Sequence, residues 1–333
     1  MEKIRANRTK LILGLLAGAI LLFLVSVKLG AVNISLSQMA DILLRGEQSP
    51  QQRILLYVRI PRTFAAALAG MGLAVSGAVI QTVLGNSLAG PNIIGVNAGA
   101  GFAVVLCGSL LPGMYGMLPL AAFVGAFITV IFVYFLARYT GSSKITLVLS
   151  GVAVNSLLNA ATDTIYTFDA DSLVRSSGFR IGGLSGVNTS VLVPAGIAIV
   201  IAVAVTASLH NEMEILSLGD ASAKTLGLPV TAFRFLFLAL AAVLAGASVS
   251  FAGLLGFVGL IVPHMARMMV GDECKYFIVT SALLGALLVM GCDLAARMVL
   301  APYELPVGIV LSFIGAPFFI WLLIHQRRRG SHD

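Results

Sequence analysis

Apolar runs of about 20 residues recur almost without pause along the chain, and a run of that length matches the roughly 30 Å hydrocarbon core of a bilayer. Candidate segments stand near 11–29, 63–84, 91–111, 117–137, 145–168, 191–209, 230–252, 255–270, 277–300 and 306–325. A backbone in lipid must satisfy its own hydrogen bonds, so the pattern predicts an all-α polytopic membrane protein. Composition agrees: with 59% hydrophobic and 11% charged residues among 333, a soluble chain would lack the polar groups to cover its surface. The eighth segment is short and carries Pro263 and His264, so hydropathy leaves nine or ten spans open.

Charge decides between them. Lys3, Arg5, Arg8 and Lys10 make one tail basic and Arg327, Arg328 and Arg329 the other. Basic flanks stay cytoplasmic, which puts both termini inside and requires an even number, hence about ten transmembrane helices. The first run is longer than a signal-peptide core and has no small-residue cleavage site at its end, so it is read as a retained span. Most of the 21 Lys and Arg residues then fall inside. Arg45, Arg53, Arg59 and Arg62 break the bias by clustering in the first external connection. Either they anchor a helix end in the headgroup layer or they meet an acidic partner outside. Arg297, four residues after Asp293 near the outer end of the ninth segment, has the spacing of an intrahelical ion pair.

No stretch is rich enough in Pro, Ser or charge to be a linker, so residues 1–333 are read as a single transmembrane domain. The longer connections are the external stretches 30–62 and 169–190 and the cytoplasmic stretch 210–229. Glycines spaced closely, as in Gly95 to Gly99 and Gly253 to Gly259, allow helix backbones to approach one another.

Several chemistries are set aside. There is no G-x-x-x-x-G-K-S/T loop, so any ATP must be handled by a partner. Cys107, Cys274 and Cys292, and His210, His264, His325 and His332, lack metal-ligand spacing, and no metal site or catalytic group is expected. Asp163 and Asp293 fall toward the outer ends of their spans, away from the midplane position typical of an ion-coupled carrier.

One ordered set of motifs remains: Arg59-Ile-Pro-Arg62; Gly77-Ala-Val-Ile-Gln81; Asn86-Ser-Leu-Ala-Gly-Pro91 with Gly95; Leu218-Gly219 through Leu226-Gly227; Gly256-Phe-Val-Gly-Leu-Ile-Val-Pro-His264 with Arg267; Asp293 with Arg297; Glu304-Leu-Pro-Val-Gly308; and Gly315-Ala-Pro-Phe-Phe319. Together, over nearly the whole chain, it resembles the FecCD-type permease subunits of iron-siderophore and cobalamin ABC importers. Ser87 departs from the proline usual at that place in the family.

The resemblance implies the type II ABC importer permease fold and a set of partners: a second permease, identical or paralogous, two ABC ATPase subunits, and an extracytoplasmic substrate-binding protein. Membrane lipid is the surrounding solvent, and no nucleic acid is expected. It implies no cofactor on this chain, with ATP and Mg at the partner ATPase. By the same resemblance Arg59, Arg62 and Arg297 face acidic residues of the binding protein. ATPase coupling falls on about 215–228, through Leu218, Gly219, Asp220, Ala223, Lys224, Leu226 and Gly227. A cytoplasmic gate falls on Asn86, Leu88, Ser142 and Ser143. The expected location is the bacterial cytoplasmic (inner) membrane and the expected cargo a ferric-siderophore complex, with cobalamin or haem as alternatives. An ion-coupled secondary transporter should show an intramembrane charge or an interrupted midplane helix with inverted-repeat symmetry, of which only the broken eighth segment offers anything, and a membrane scaffold or receptor would have no use for the coupling segment.

Overall fold

The computed structural model describes residues 2–30, 50–141 and 144–329, and the regular structure in them is helical. In chain order the helices are α1 (Glu2–Lys28), α2 (Pro50–Ile54), a π-helical turn (Leu55–Arg59), α3 (Ile60–Leu84), α4 (Val96–Leu110), a 3-10 turn (Tyr115–Met117), α5 (Leu118–Thr140), α6 (Lys144–Phe168), α7 (Ala170–Ile181), α8 (Thr189–Ser208), α9 (His210–Ser217), α10 (Asp220–Thr225), α11 (Val230–Ala252), α12 (Val258–Val270), α13 (Cys274–Met298) and α14 (Val307–Arg329). Among the described residues seven helical stretches are long and apolar enough to cross a membrane: α1, α2 with α3, α5, α6, α8, α11 and α13. The apolar helices α4, α12 and α14 are shorter in that respect, and with them the architecture coincides with the ten segments read from the sequence.

The differences lie at the ends of segments. Helix α2 and the π turn extend α3 backward into the connection placed at 30–62, giving one helical run Pro50–Leu84. Leu55 explains the extension, because it is fully buried against Val27 and holds the run onto the end of α1. The connection placed at 169–190 contains α7, capped by the Asp169 carboxylate accepting from the Ser172 N–H at 3.2 Å. The third segment becomes helical only at Val96, since Gly85, Gly90, Pro91 and Gly95 punctuate residues 85–95. The eighth begins at Val258, and Pro263 sits inside the helix without ending it.

Helix α3 is the axis of the molecule and packs against α11, α12 and α13. Its apolar window is 78% buried, whereas that of α6 is only 22% buried, which leaves α6 with a large unpacked face. Small side chains such as Ala66, Ala69, Ala74 and Ala78 line α3 and let its neighbours come close. Gly77 is the extreme case: a Cβ there would stand 1.8 Å from the Gly259 carbonyl oxygen of α12, so the two backbones touch. Lipid tails are as apolar as the side chains, and such close packing therefore carries much of the helix association.

Candidate functional site

One end of α3 holds a buried ionic cluster. Arg62 Nε donates to Asp293 Oδ1 at 2.9 Å and its Nη1 to Glu304 Oε2 at 2.5 Å. Arg297, one turn beyond Asp293, pairs with the same carboxylate at 3.1 Å, so the intrahelical pair inferred from spacing forms. Its remaining donors reach the Ser26 hydroxyl at 2.6 Å and the Ser26 and Leu29 carbonyls. Arg59 donates to the Val27 and Lys28 carbonyls at 3.3 and 2.8 Å. The cluster thus ties the end of α1 to the start of α3, to the end of α13 and to Glu304 in the 299–306 connection.

All three arginines are buried, at 4–5% exposure. In this structure their forks turn inward, because fully buried Asp293 requires counter-charge and the carbonyls at the end of α1 require donors. Of the cluster's two acids, Glu304 keeps solvent access, with 39% of its side chain exposed.

The opposite end of α3 leads into the irregular residues 85–95. Asn86 and Leu88 lie here in a tight turn, the Asn86 Oδ1 accepting from the Leu88 N–H at 2.9 Å, with Asn86 exposed and Leu88 partly buried. Ser142 and Ser143 lie outside the described residues. Their neighbour Lys144 comes within 2.9 Å of where a Cβ on Gly85 would stand, so the start of α6 adjoins the Gly85–Leu88 turn.

The segment then climbs along α6. A Cβ on Gly151 would meet the Ile93 carbonyl at 2.1 Å, and Asn155 Nδ2 donates to the Asn92 carbonyl at 2.8 Å. Beside this contact a cleft of about 500 Å³ runs between α4 and α6, lined by Asn92, Asn97, Asn155, Asn159, Asp163 and Tyr166 among others. Of these, sequence reading named Asp163 alone, as a residue toward the outer end of its span. The available signal was polar spacing within an apolar span, since 155, 159, 162, 163 and 166 fall on one face of a helix.

At that same end as Asn86, α9 and α10 form a compact knuckle. Met213, Leu216 and Ala223 are buried and seat it in the core, while Leu218 and Leu226 are each 60% exposed. Helix α10 closes with the Leu228 N–H bonded to the Ala223 carbonyl and the Gly227 N–H to the Lys224 carbonyl, both at 3.0 Å, a Schellman end that requires Gly227 at φ +81°. Gly219, at φ +96° and ψ 160°, opens the same helix from a conformation reserved for glycine. Asp220 accepts from Arg234 Nη2 at 2.5 Å, joining α10 to α11. Arg234 in turn lines a small internal cavity with Leu84, Arg138 and Lys144. Lys224 and Gly227 stay exposed on the knuckle's surface. Arg234 went unremarked in the sequence because nothing in its spacing marks a partner fourteen residues back.

The bundle joins two polar ends, and comparison with known proteins decides what kind of bundle it is. Residues 18–325 match the FecCD transport family. The chain belongs to that family. FecCD relatives include the Fe(3+)-citrate import system permease protein YfmD of Bacillus subtilis, 35% identical over 96% of both chains. The hemin transport system permease protein HmuU of Yersinia pestis is 33% identical, covering 95% of this chain and 97% of its own. A solved structure assigned to the metal-chelate type of ABC transporter, in an inward-facing conformation, superposes with a TM-score of 0.84 at 27% identity over 95% of this chain and 99% of that one. This FecCD chain is therefore an ABC importer permease with the type II importer permease fold.

Proposed function

We propose that this permease moves ferric-siderophore complexes into the cytoplasm, taking them from an extracytoplasmic binding protein and drawing energy from two separate ABC ATPase subunits. The reading rests above all on the α9–α10 knuckle of a FecCD chain, where Leu218 and Leu226 stand exposed outside any spanning helix. Exposed leucines on a rigid, core-anchored turn form an apolar ridge for a groove on another protein. In this reading Leu218, Gly219, Asp220, Ala223, Lys224, Leu226 and Gly227 make the ATPase contact. Lys224 and Asp220 supply charge, and Ala223 and the two glycines fix the shape. The Asp220–Arg234 pair carries displacement of α10 to α11 and, through the cavity with Leu84 and Lys144, to the turns at 85–88 and 141–144. Asn86, Leu88, Ser142 and Ser143 then open and close the cytoplasmic gate. ATP shifts the two-state equilibrium because it binds its subunits differently in the two states.

The end bearing Arg59, Arg62 and Arg297 is the receptor side. In this reading the receptor presents an acidic face, which suits arginine because its planar fork pairs with a carboxylate through two hydrogen bonds. The arginines act from beneath the surface, as a charged floor under the rim. The chain works as one transmembrane domain in the bacterial cytoplasmic membrane, paired with an identical or paralogous permease, both termini on the ATPase side.

Uptake of iron-labelled hydroxamates, catecholates and citrate by iron-starved cells with and without the gene, alongside labelled cobalamin and haemin, tests the cargo. Loss of one ferric-siderophore signal supports the proposal. Loss of only cobalamin or haemin uptake overturns the siderophore reading.

A further inference from the structure

Four helix ends meet at the end of the bundle that carries the α9–α10 knuckle: α3 finishes at Leu84 and α5 at Thr140, while α6 begins at Lys144 and α11 at Val230. Between them lies the small cavity that Arg234 lines. Its lining holds three cations, Arg138, Lys144 and Arg234, each from a different helix, and no carboxylate among the described residues. Asp220, outside the lining, answers Arg234 at 2.5 Å, whereas Lys144 pairs with no carboxylate among the described residues. Basic residues at the cytoplasmic ends of spans are ordinary when their long side chains reach out to water. Arg234 departs from that pattern, since it is only 8% exposed. Three like charges lining one space favour an anion in it.

Size and surroundings narrow the anion. The space is about 30 Å³, room for roughly one or two water-sized groups, so phosphoryl oxygens fit and a whole headgroup does not. Arg138 and Thr231 are exposed at its rim, and Leu84, Ala137 and Leu147 are buried within. Beside the cavity the surface turns apolar. The Tyr134 ring, part of the lining, meets Phe235 at 5.1 Å between centroids, and Phe235 meets Phe135 at 6.0 Å. Phe135 is 51% and Phe235 36% exposed. Each lies five residues inside its helix end, about 7.5 Å deep at 1.5 Å per residue. Acyl chains reach that depth, and a soluble ATPase docked on the knuckle does not. A molecule with an anionic head and an apolar tail therefore fits both observations.

We propose that this cavity binds the phosphate of an anionic phospholipid of the cytoplasmic leaflet. Phosphoryl oxygens enter between Arg138, Lys144 and Arg234, and the acyl chains run along the exposed Phe135 and Phe235. The choice of leaflet rests on the reading above that the knuckle faces the cytoplasm. A phosphate held there offsets the like charges that α5, α6 and α11 bring together, so the junction of these helix ends depends on the anionic content of the bilayer.

The test places the complete permease–ATPase complex in phosphatidylcholine vesicles that carry, in both leaflets and at equal mole fraction, either phosphatidylglycerol or phosphatidylcholine with a photoreactive group near the glycerol. Crosslinks are mapped by mass spectrometry to the peptides around 134–147 and 230–236. The expected result is roughly tenfold more crosslinking by phosphatidylglycerol than by phosphatidylcholine. The preference should vanish in the joint Arg138→Gln, Lys144→Gln variant and persist in Arg138→Lys, Lys144→Arg, which keeps the charge. Equal crosslinking by the two lipids in the unmodified complex overturns the proposal with no variant involved, and so does an undiminished preference in the Gln variant. Loss of the preference on adding inorganic phosphate assigns the cavity to a free anion and overturns the lipid. Crosslinking that appears only when the ATPase subunits are left out assigns this face to the ATPase and also overturns it. With the probe in both leaflets the crosslink does not depend on orientation. A probe confined to one leaflet then reads the side, and crosslinking only from the leaflet opposite the ATPase overturns the choice of leaflet alone.

Discussion

Arg62 and Asp293 stand 231 positions apart in sequence and 2.9 Å apart in space, joining the start of α3 to the last turns of α13. The Asp293 carboxylate is wholly buried and serves Arg62 and Arg297 at once, so removing it leaves Arg297 enclosed without a carboxylate and Arg62 with Glu304 alone. Loss of one partner from a buried pair costs about 3–5 kcal/mol. Asp293→Ala is expected to lower the thermal midpoint of the detergent-purified protein by several degrees, and the joint Asp293→Leu, Arg297→Leu replacement, which leaves Arg62 paired with Glu304, to recover much of it. Equal stability of Asp293→Ala and the unmodified protein would show that the cluster adds nothing to the fold.

Glu304 separates docking from stability. It is the solvent-accessible acid of the cluster, and Glu304→Gln makes the rim more positive without emptying the interior. If an acidic receptor docks here, its affinity should rise roughly two- to tenfold, mainly through faster association at low salt. A weakened complex in a binding assay would place the receptor contact elsewhere.

Leu226 and Gly227 sit side by side on the knuckle and should respond differently. Leu226→Glu puts charge on an exposed site, so the permease should fold normally while the ATPase no longer co-purifies. Gly227→Ala keeps the surface but strains a residue at φ +81°, at a cost of about 1 kcal/mol, and should loosen α10 with partial loss of coupled transport. Co-purification and transport assays on both variants distinguish the two effects.

Arg234→Ala cuts the link between α10 and α11 beneath the knuckle. The expected phenotype is an assembled complex that hydrolyses ATP and transports at least tenfold less cargo. Transport at the unmodified rate would show that displacement passes by another route.

Gly77→Leu tests the packing. With the Gly259 carbonyl oxygen 1.8 Å from where even a Cβ would lie, α3 and α12 cannot keep their distance. Loss of folded protein on size-exclusion chromatography is expected, and normal yield and stability would mean that α12 moves aside readily.

Much of the arrangement was legible beforehand. The ten apolar segments, the Asp293–Arg297 spacing and the compact segment between 210 and 229 are local features, and a bilayer enforces helices wherever such segments cross it. The helical content of the connections placed at 30–62 and 169–190 was less legible. Leu55 stabilises its turn through Val27, a contact distant in sequence, and α7 follows its own cap at Asp169.

The sequence by itself determined that the chain is a multi-span helical membrane protein with an arginine-rich end and a glycine-bounded knuckle, because hydropathy, charge and turn residues act over a few positions. Only the tertiary structure decided which way the charges turn and which polar residues face one another. Arg59, Arg62 and Arg297 turn inward because Asp293 and the α1 carbonyls are brought to them by packing. Asn92 and Asn155 share a cleft because Gly151 lets residues 85–95 lie against α6. The physical reason is common to both: a buried charge or an open backbone group in a membrane must find its partner wherever the folded chain supplies one, and sequence distance does not enter.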